Sequence, residues 1–103
     1  MIVYEVNYDV DKEIEKEYSE WLSSHIREML GFEGFESADW YTRASDATEQ
    51  AVHWSLHYHV RSMADLITYF DTHAESMKAD GANRFGNRYQ ASRRILSLYR
   101  HFK

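Results

Sequence analysis

From Ile2 to Asp9 apolar and polar positions alternate, with Ile2, Tyr4, Val6 and Tyr8 on one side and Val3, Glu5, Asn7 and Asp9 on the other. Period two is the pattern of a strand with one face buried. Asp11 stands where a helix N-cap belongs, and Glu13 and Glu15 are placed favourably against a helix dipole. The spacing then becomes helical: Ile14, Tyr18, Leu22, His25, Ile26 and Met29 form one stripe with Trp21 beside it. Gly31 follows at the place of a left-handed C-cap. Phe35 to Arg43 reads as a second, less regular strand, and Ala44 to Gln50 as a polar loop. Ala51 to Val60 is a third strand, in which Val52, Trp54, Leu56, Tyr58 and Val60 alternate with His53, Ser55, His57 and His59. Ser62-Met63-Ala64-Asp65 has the form of a capping box, with Asp in place of the usual Glu or Gln. Met63, Leu66, Ile67, Phe70, His73, Ala74 and Met77 make a second helical stripe, and Gly81 and Gly86 are expected to break the chain before a last strand at about Arg88 to Tyr99.

Two βαβ-like halves in this order predict an α+β fold of ferredoxin-like βαββαβ plan, a four-stranded antiparallel sheet with two helices on one face. The 103 residues are the size of one domain, and the whole of 1–103 is read as such. No repeat, linker or low-complexity tract interrupts it. A domain this small buries a modest fraction of its surface, so a core shared with a second copy of the chain is expected. With no cysteine there is no disulfide framework, thiol nucleophile or thiolate metal site. No apolar run approaches the roughly 20 residues of a membrane span, and Met1 to Glu5 carries no basic segment of a secretory signal, so a cytoplasmic protein without membrane contact is expected.

A net charge of −5 argues against nucleic acid as a partner. Its distribution changes the picture more. Thirteen of the 17 acids lie at or before Glu49, and after Asp80 there is none, while Arg84, Arg88, Arg93, Arg94, Arg100 and Lys103 follow. Either the basic C-terminal strand pairs with the acidic first helix, of its own chain or a partner's, or its arginine forks hold a carboxylate or phosphate.

The opening Met1-Ile2-Val3-Tyr4-Glu5-Val6 and the run Trp21-Leu22, His25-Ile26, Met29-Leu30 resemble the domain-of-unknown-function family 4286. Leu56-His57-Tyr58, His73-Ala74, Arg84-Phe85-Gly86-Asn87-Arg88 and Arg93-Arg94 with Leu96 extend the resemblance over nearly the whole chain. Glu75 stands where such relatives often carry Pro, which bears on a kink in the second helix. The resemblance implies a dimeric α+β barrel, two sheets closing on each other, and implies no particular activity. That scaffold hosts cofactor-independent monooxygenation, isomerisation and haem degradation elsewhere, an analogy at the level of the fold alone.

Three groups of residues could carry chemistry. Helical and strand rises bring His25, Tyr4 and Tyr58 to one level between sheet and helices, with Phe70 near them and His73 about one turn deeper. An imidazole among phenols is a candidate general base, the catalytic candidate here being His25, and Tyr4, Tyr58, Phe70 and His73 are candidate ligand contacts. The same side chains serve equally as the edge of a core. On the polar sheet face, His57 and His59 could offer two imidazoles to a metal with Glu5 from the adjacent strand, but a metal needs three or four converging ligands, and neither metal nor cofactor is expected. Arg84 and Arg88 flank Phe85-Gly86-Asn87 as candidate anion clamps or as salt links. No serine has the context of a nucleophile, and phosphate-loop and dinucleotide glycine patterns are absent. These features point to a homodimeric domain binding an aromatic or anionic small organic molecule, with or without catalysis; a structural or protein-interaction dimer is the rival.

Overall fold

The computed structural model describes residues 1–103. Its elements are β1 (Ile2–Asp11), α1 (Glu15–Met29), β2 (Phe35–Thr42), β3 (Ala51–Val60), α2 (Met63–Thr72), α3 (Ala74–Phe85) and β4 (Tyr89–Ser97). The four strands form one antiparallel sheet in the order β2-β3-β1-β4, the ferredoxin-like arrangement expected from the element order. Direct pairing of β1 with β3 sets Tyr4 beside Tyr58 and Val6 beside Leu56, so the apolar sides of both strands coincide. That shared face meets the helices through Tyr18, Leu22 and Met29 of α1, Leu66 and Tyr69 of α2, and Ala74 and Met77 of α3, all buried in one core.

Local chemistry explains where the helices begin. Asp11 Oδ1 accepts from the Glu13 backbone N–H at 3.0 Å and opens a 3₁₀ turn, Lys12–Ile14, that leads into α1. Ser62 Oγ accepts from the Asp65 N–H at 3.2 Å, as the capping box requires. Its reciprocal half differs, because the shorter Asp side chain takes the Ser62 hydroxyl (2.9 Å) and the Arg61 guanidinium (3.0 Å) instead.

Three expectations are corrected. The second helix is two helices, making three on the covered face. Thr72 Oγ1 donates back to the Thr68 carbonyl at 2.6 Å, and His73 leaves helical geometry at φ −128°. The break occurs with Glu75, not Pro, after His73-Ala74. The buried stripe of α2 also differs: Tyr69, absent from the expected set, is buried, while Met63, Ile67 and Phe70 are exposed at 38%, 50% and 36%. Gly31 is not the left-handed position; Gly34 is, at φ +84°, and a Cβ there would stand 2.5 Å from the Asp65 carboxylate. Gly81 breaks nothing. It lies inside α3, where a Cβ would come within 2.9 Å of the Trp21 ring, so its bareness lets α1 and α3 approach.

The molecule is a slab of 37 × 35 × 18 Å. Its accessible surface of 6792 Å² exceeds the about 6,100 Å² typical of a monomer of this mass. The excess has a visible source, since no helix covers the second face of the sheet, and Leu98, Tyr99 and Phe102 beyond β4 are exposed. No helix is long and apolar enough to cross a membrane.

Candidate functional site

On the covered face, β1 contributes Tyr4 and Tyr8, β3 contributes Tyr58, and β4 contributes Arg93. From the helices come Trp21 and His25 of α1, Tyr69 of α2 and Lys78 of α3. These side chains surround a void of about 20 Å³. One water needs roughly 10–15 Å³, so the layer between sheet and helices is packed, with space for a single small group. A cleft of about 310 Å³ adjoins it at the β4 edge, sharing Tyr4, Lys78 and Arg93 with the void and adding Phe70, Arg94 and Ile95.

The expected meeting of His25, Tyr4 and Tyr58 at one level is met. Phe70 packs edge-on against Tyr4, ring centroids 5.4 Å apart. His25 is held by Trp21, whose ring stacks on the imidazole at 4.7 Å and whose indole N–H donates to Asp80 at 2.8 Å. Gly81 thus positions His25 indirectly, by admitting Trp21. Burial pulls the His25 pKa down from 6.5 to about 4, with Asp80 opposing the shift and Arg93 adding to it. The ring is therefore neutral at pH 7, and burial makes it a weaker base than a free imidazole.

The phenols carry the clearest anomaly of this layer. The hydroxyls of Tyr58 and Tyr18 are buried and have no hydrogen-bond partner. Burial raises the Tyr58 pKa beyond the ordinary phenol range, so the group stays an O–H donor. Burial likewise raises Tyr4, partly offset by Arg93. A buried polar group without a partner costs about 1–3 kcal/mol, which is rare in a settled core. Of the two, Tyr58 lines the void.

Other sequence candidates lie elsewhere. His73 is exposed and stacks on Phe32 at 4.2 Å, outside the void, because the helix break carries it outward. Arg84 faces Asp80 at 3.7 Å one turn away on its own helix. Arg88 reaches Asp11 at 2.8 Å and Glu13 at 3.4 Å, joining the start of β4 to the approach to α1. For these two arginines the geometry is that of salt links within the chain. Arg93, named in the sequence only as part of the basic segment and of the resemblance, and Lys78, not named there, stand at the site in their place. The signal for Arg93 was its phase: counting by twos from Tyr89 puts an arginine on the apolar side of β4.

The open face of the sheet is differently built. Glu5, only 3% exposed, receives the Arg94 guanidinium at 2.8 Å and the Asn7 amide at 3.0 Å. Ser55 donates to Asn7, Arg43 bonds the Trp54 carbonyl and pairs with Asp9 and Asp46, and Asp9 holds His53 Nδ1 at 2.6 Å. His57 approaches Glu5 at 3.7 Å and His59 meets Asp39 at 2.9 Å. The Arg94 hydrogen bond, against desolvation, lowers the Glu5 pKa, and the His53 bond does the same for Asp9. The shallow depression here, about 630 Å³, is larger than the cleft, yet Glu5, Asn7, Asp9, Arg43, Ser55 and Arg94 in its lining are already bonded to one another or to their neighbours. His57 and His59 each face a separate carboxylate, and no group of three metal-ligating side chains converges.

The chain matches over residues 1–99 the family described as domain of unknown function (DUF4286). It belongs to that family. No curated protein matches in sequence. Among solved structures, a Deinococcus radiodurans protein described as a "putative antibiotic biosynthesis monooxygenase" is similar at 10% identity and TM-score 0.72, with 100% of this chain and 97% of that one covered. A de novo designed protein, Foldit4, is similar at 11% identity and TM-score 0.61, covering 94% and 97%. At these identities the DUF4286 chain shares with both a fold, and one of the two is a designed sequence.

Proposed function

We propose that this protein is a homodimeric small-molecule-binding domain whose ligand seats at the seam between β4, α2 and α3, with its head toward Tyr4, His25 and Tyr58. The observation that carries the reading is the buried, unpartnered Tyr58 hydroxyl lining a void that adjoins an outer cleft. A donor with nothing to donate to is explained by a group that arrives from outside. In an enzymatic version His25 is the residue placed to take a proton, being neutral and beside the void, and Tyr4 and Tyr58 orient the substrate. The surface in excess of a compact monomer's and the uncovered sheet face support pairing with a second copy through that face.

A second reading, a non-catalytic structural dimer, is favoured by one specific observation: a void of about 20 Å³ admits no substrate body without movement of the helices. Native mass spectrometry of freshly purified protein, followed by denaturing spectra of the same sample, separates the readings. A dimer with a reproducible extra mass that is lost on denaturation is the expected result. A dimer with no added mass after incubation with a broad ligand panel favours the structural reading, and a monomer contradicts the dimer itself.

A further inference from the structure

Along β4 the positions facing the helices are Tyr89, Ala91, Arg93 and Ile95, opposite Val10, Tyr8, Val6 and Tyr4 of β1. Arg43, Arg61, Arg84, Arg88 and Arg94 each pair with a carboxylate, Arg27, Arg93 and Arg100 pair with none, and of these three Arg93 lines the void. Lys78 on α3 has no carboxylate partner either, and both cations line the void and the cleft together. Asp80, the acid whose charge is felt at His25, is committed to the Trp21 indole at 2.8 Å and to Arg84 at 3.7 Å. A guanidinium, an ammonium and a phenol O–H with no acceptor are thus gathered at one place, and the group they lack is an anion rich in acceptor oxygens. The cleft beside them is floored by Phe70 and Ile95, 36% and 42% exposed. At about 310 Å³ it lies at the small end of the roughly 300–1,000 Å³ usual for organic ligands.

We propose that the ligand of this seam is a carboxylate with an apolar body of about one aromatic ring. This rests on the small-molecule reading above and names the ligand's chemical class. The carboxylate sits between Arg93 and Lys78, one of its oxygens accepts from Tyr58 in the void, and the body lies over Phe70 and Ile95. The void's size admits one oxygen and not a second layer of atoms, which fits a planar carboxylate held edge-on by an arginine fork.

Isothermal titration calorimetry of the full chain with 3-phenylpropanoate, its neutral amide and inorganic phosphate tests this. The acid is expected to bind at least tenfold more tightly than either the amide or phosphate. Arg93→Gln is expected to weaken the acid about tenfold or more and Tyr58→Phe by roughly fivefold, with thermal melts confirming that both variants are folded. Arg27→Gln, a change on the exposed side of α1, is expected to leave binding unaltered. Equal binding of acid and amide would overturn the anion assignment and leave the small-molecule reading standing. Phosphate binding as tightly as the acid would overturn the apolar body. No heat from any of the three overturns the assignment as a whole, while the co-purified mass judges the broader reading separately.

Discussion

The two faces of this sheet satisfy their polar groups in opposite ways. On the open face each carboxylate near the centre meets a basic side chain: Glu5 with Arg94, Asp9 with Arg43 and His53, Asp39 with His59. On the covered face two phenol hydroxyls are buried with no partner, and an arginine and a lysine face no acid. The contrast is counterintuitive, because the face that no helix covers is the one that has closed its hydrogen bonds internally. A network satisfied by its own members holds a surface in shape and asks nothing of a ligand. Donors left without acceptors beside a cleft are where a ligand contributes most. The larger, more charged depression is therefore the weaker candidate site.

The sharpest way to break the comparison is by substitution on the two sides of one strand. Leu56, fully buried on the covered face, is expected to cost about 3 kcal/mol on change to Ala, against roughly 1 kcal/mol or less for the adjacent Ser55→Ala. Urea denaturation measures both, and equal losses would mean the open face is packed in solution as tightly as the core. Next comes pH. His25 has a folded pKa of about 4, below its ordinary 6.5, so the unfolded chain binds the proton first as pH falls. Stability is full above about pH 6.5 and is expected to fall by about 2 kcal/mol by roughly pH 5. His25→Gln should flatten that part of the profile, and an unchanged slope would place the imidazole in water.

Arg43→Ala removes the member of the open-face network that joins Asp9, Asp46 and the Trp54 carbonyl. About 1–2 kcal/mol of stability is expected to be lost, read from urea midpoints, with no change in the affinity of any ligand that binds the seam. The smallest effect has the opposite sign. Tyr58→Phe deletes a buried hydroxyl that has no partner, so the empty protein is expected to gain up to about 1 kcal/mol. A loss of similar size would show that an internal water satisfies the phenol and that the site needs no ligand.

The residues told much of this in advance, for identifiable reasons. Alternation in β1 and β3 is governed by local backbone geometry, so the two faces, and the placing of Tyr4 and Tyr58 on one of them, were readable from spacing alone. The level of His25 followed from helical rise. The helix break at His73 was not readable as such: no proline or glycine marks it, and it comes from the Thr72 back-bond and a non-helical φ at His73. That break moved His73 out of the site, and Tyr69, three residues after Leu66, was passed over in favour of Ile67 and Phe70 on the neighbouring side of the same helix. The pairing of arginines was the other blind spot. Sequence shows that cations gather late in the chain, but only register reveals that Arg94 falls directly opposite Glu5 while its neighbour Arg93 turns to the phenols. Arg84 and Arg88, attractive as a flanking pair, are spent on acids within reach of their own elements.

Side-chain NMR during titration with 3-phenylpropanoate asks the central question directly, because one spectrum reports both faces. Resonances of Tyr58, His25, Phe70 and the Arg93 guanidinium are expected to move together and saturate, while those of Tyr41, His57 and Arg43 stay in place. Saturable shifts confined to the second set would put binding on the open face and contradict the account.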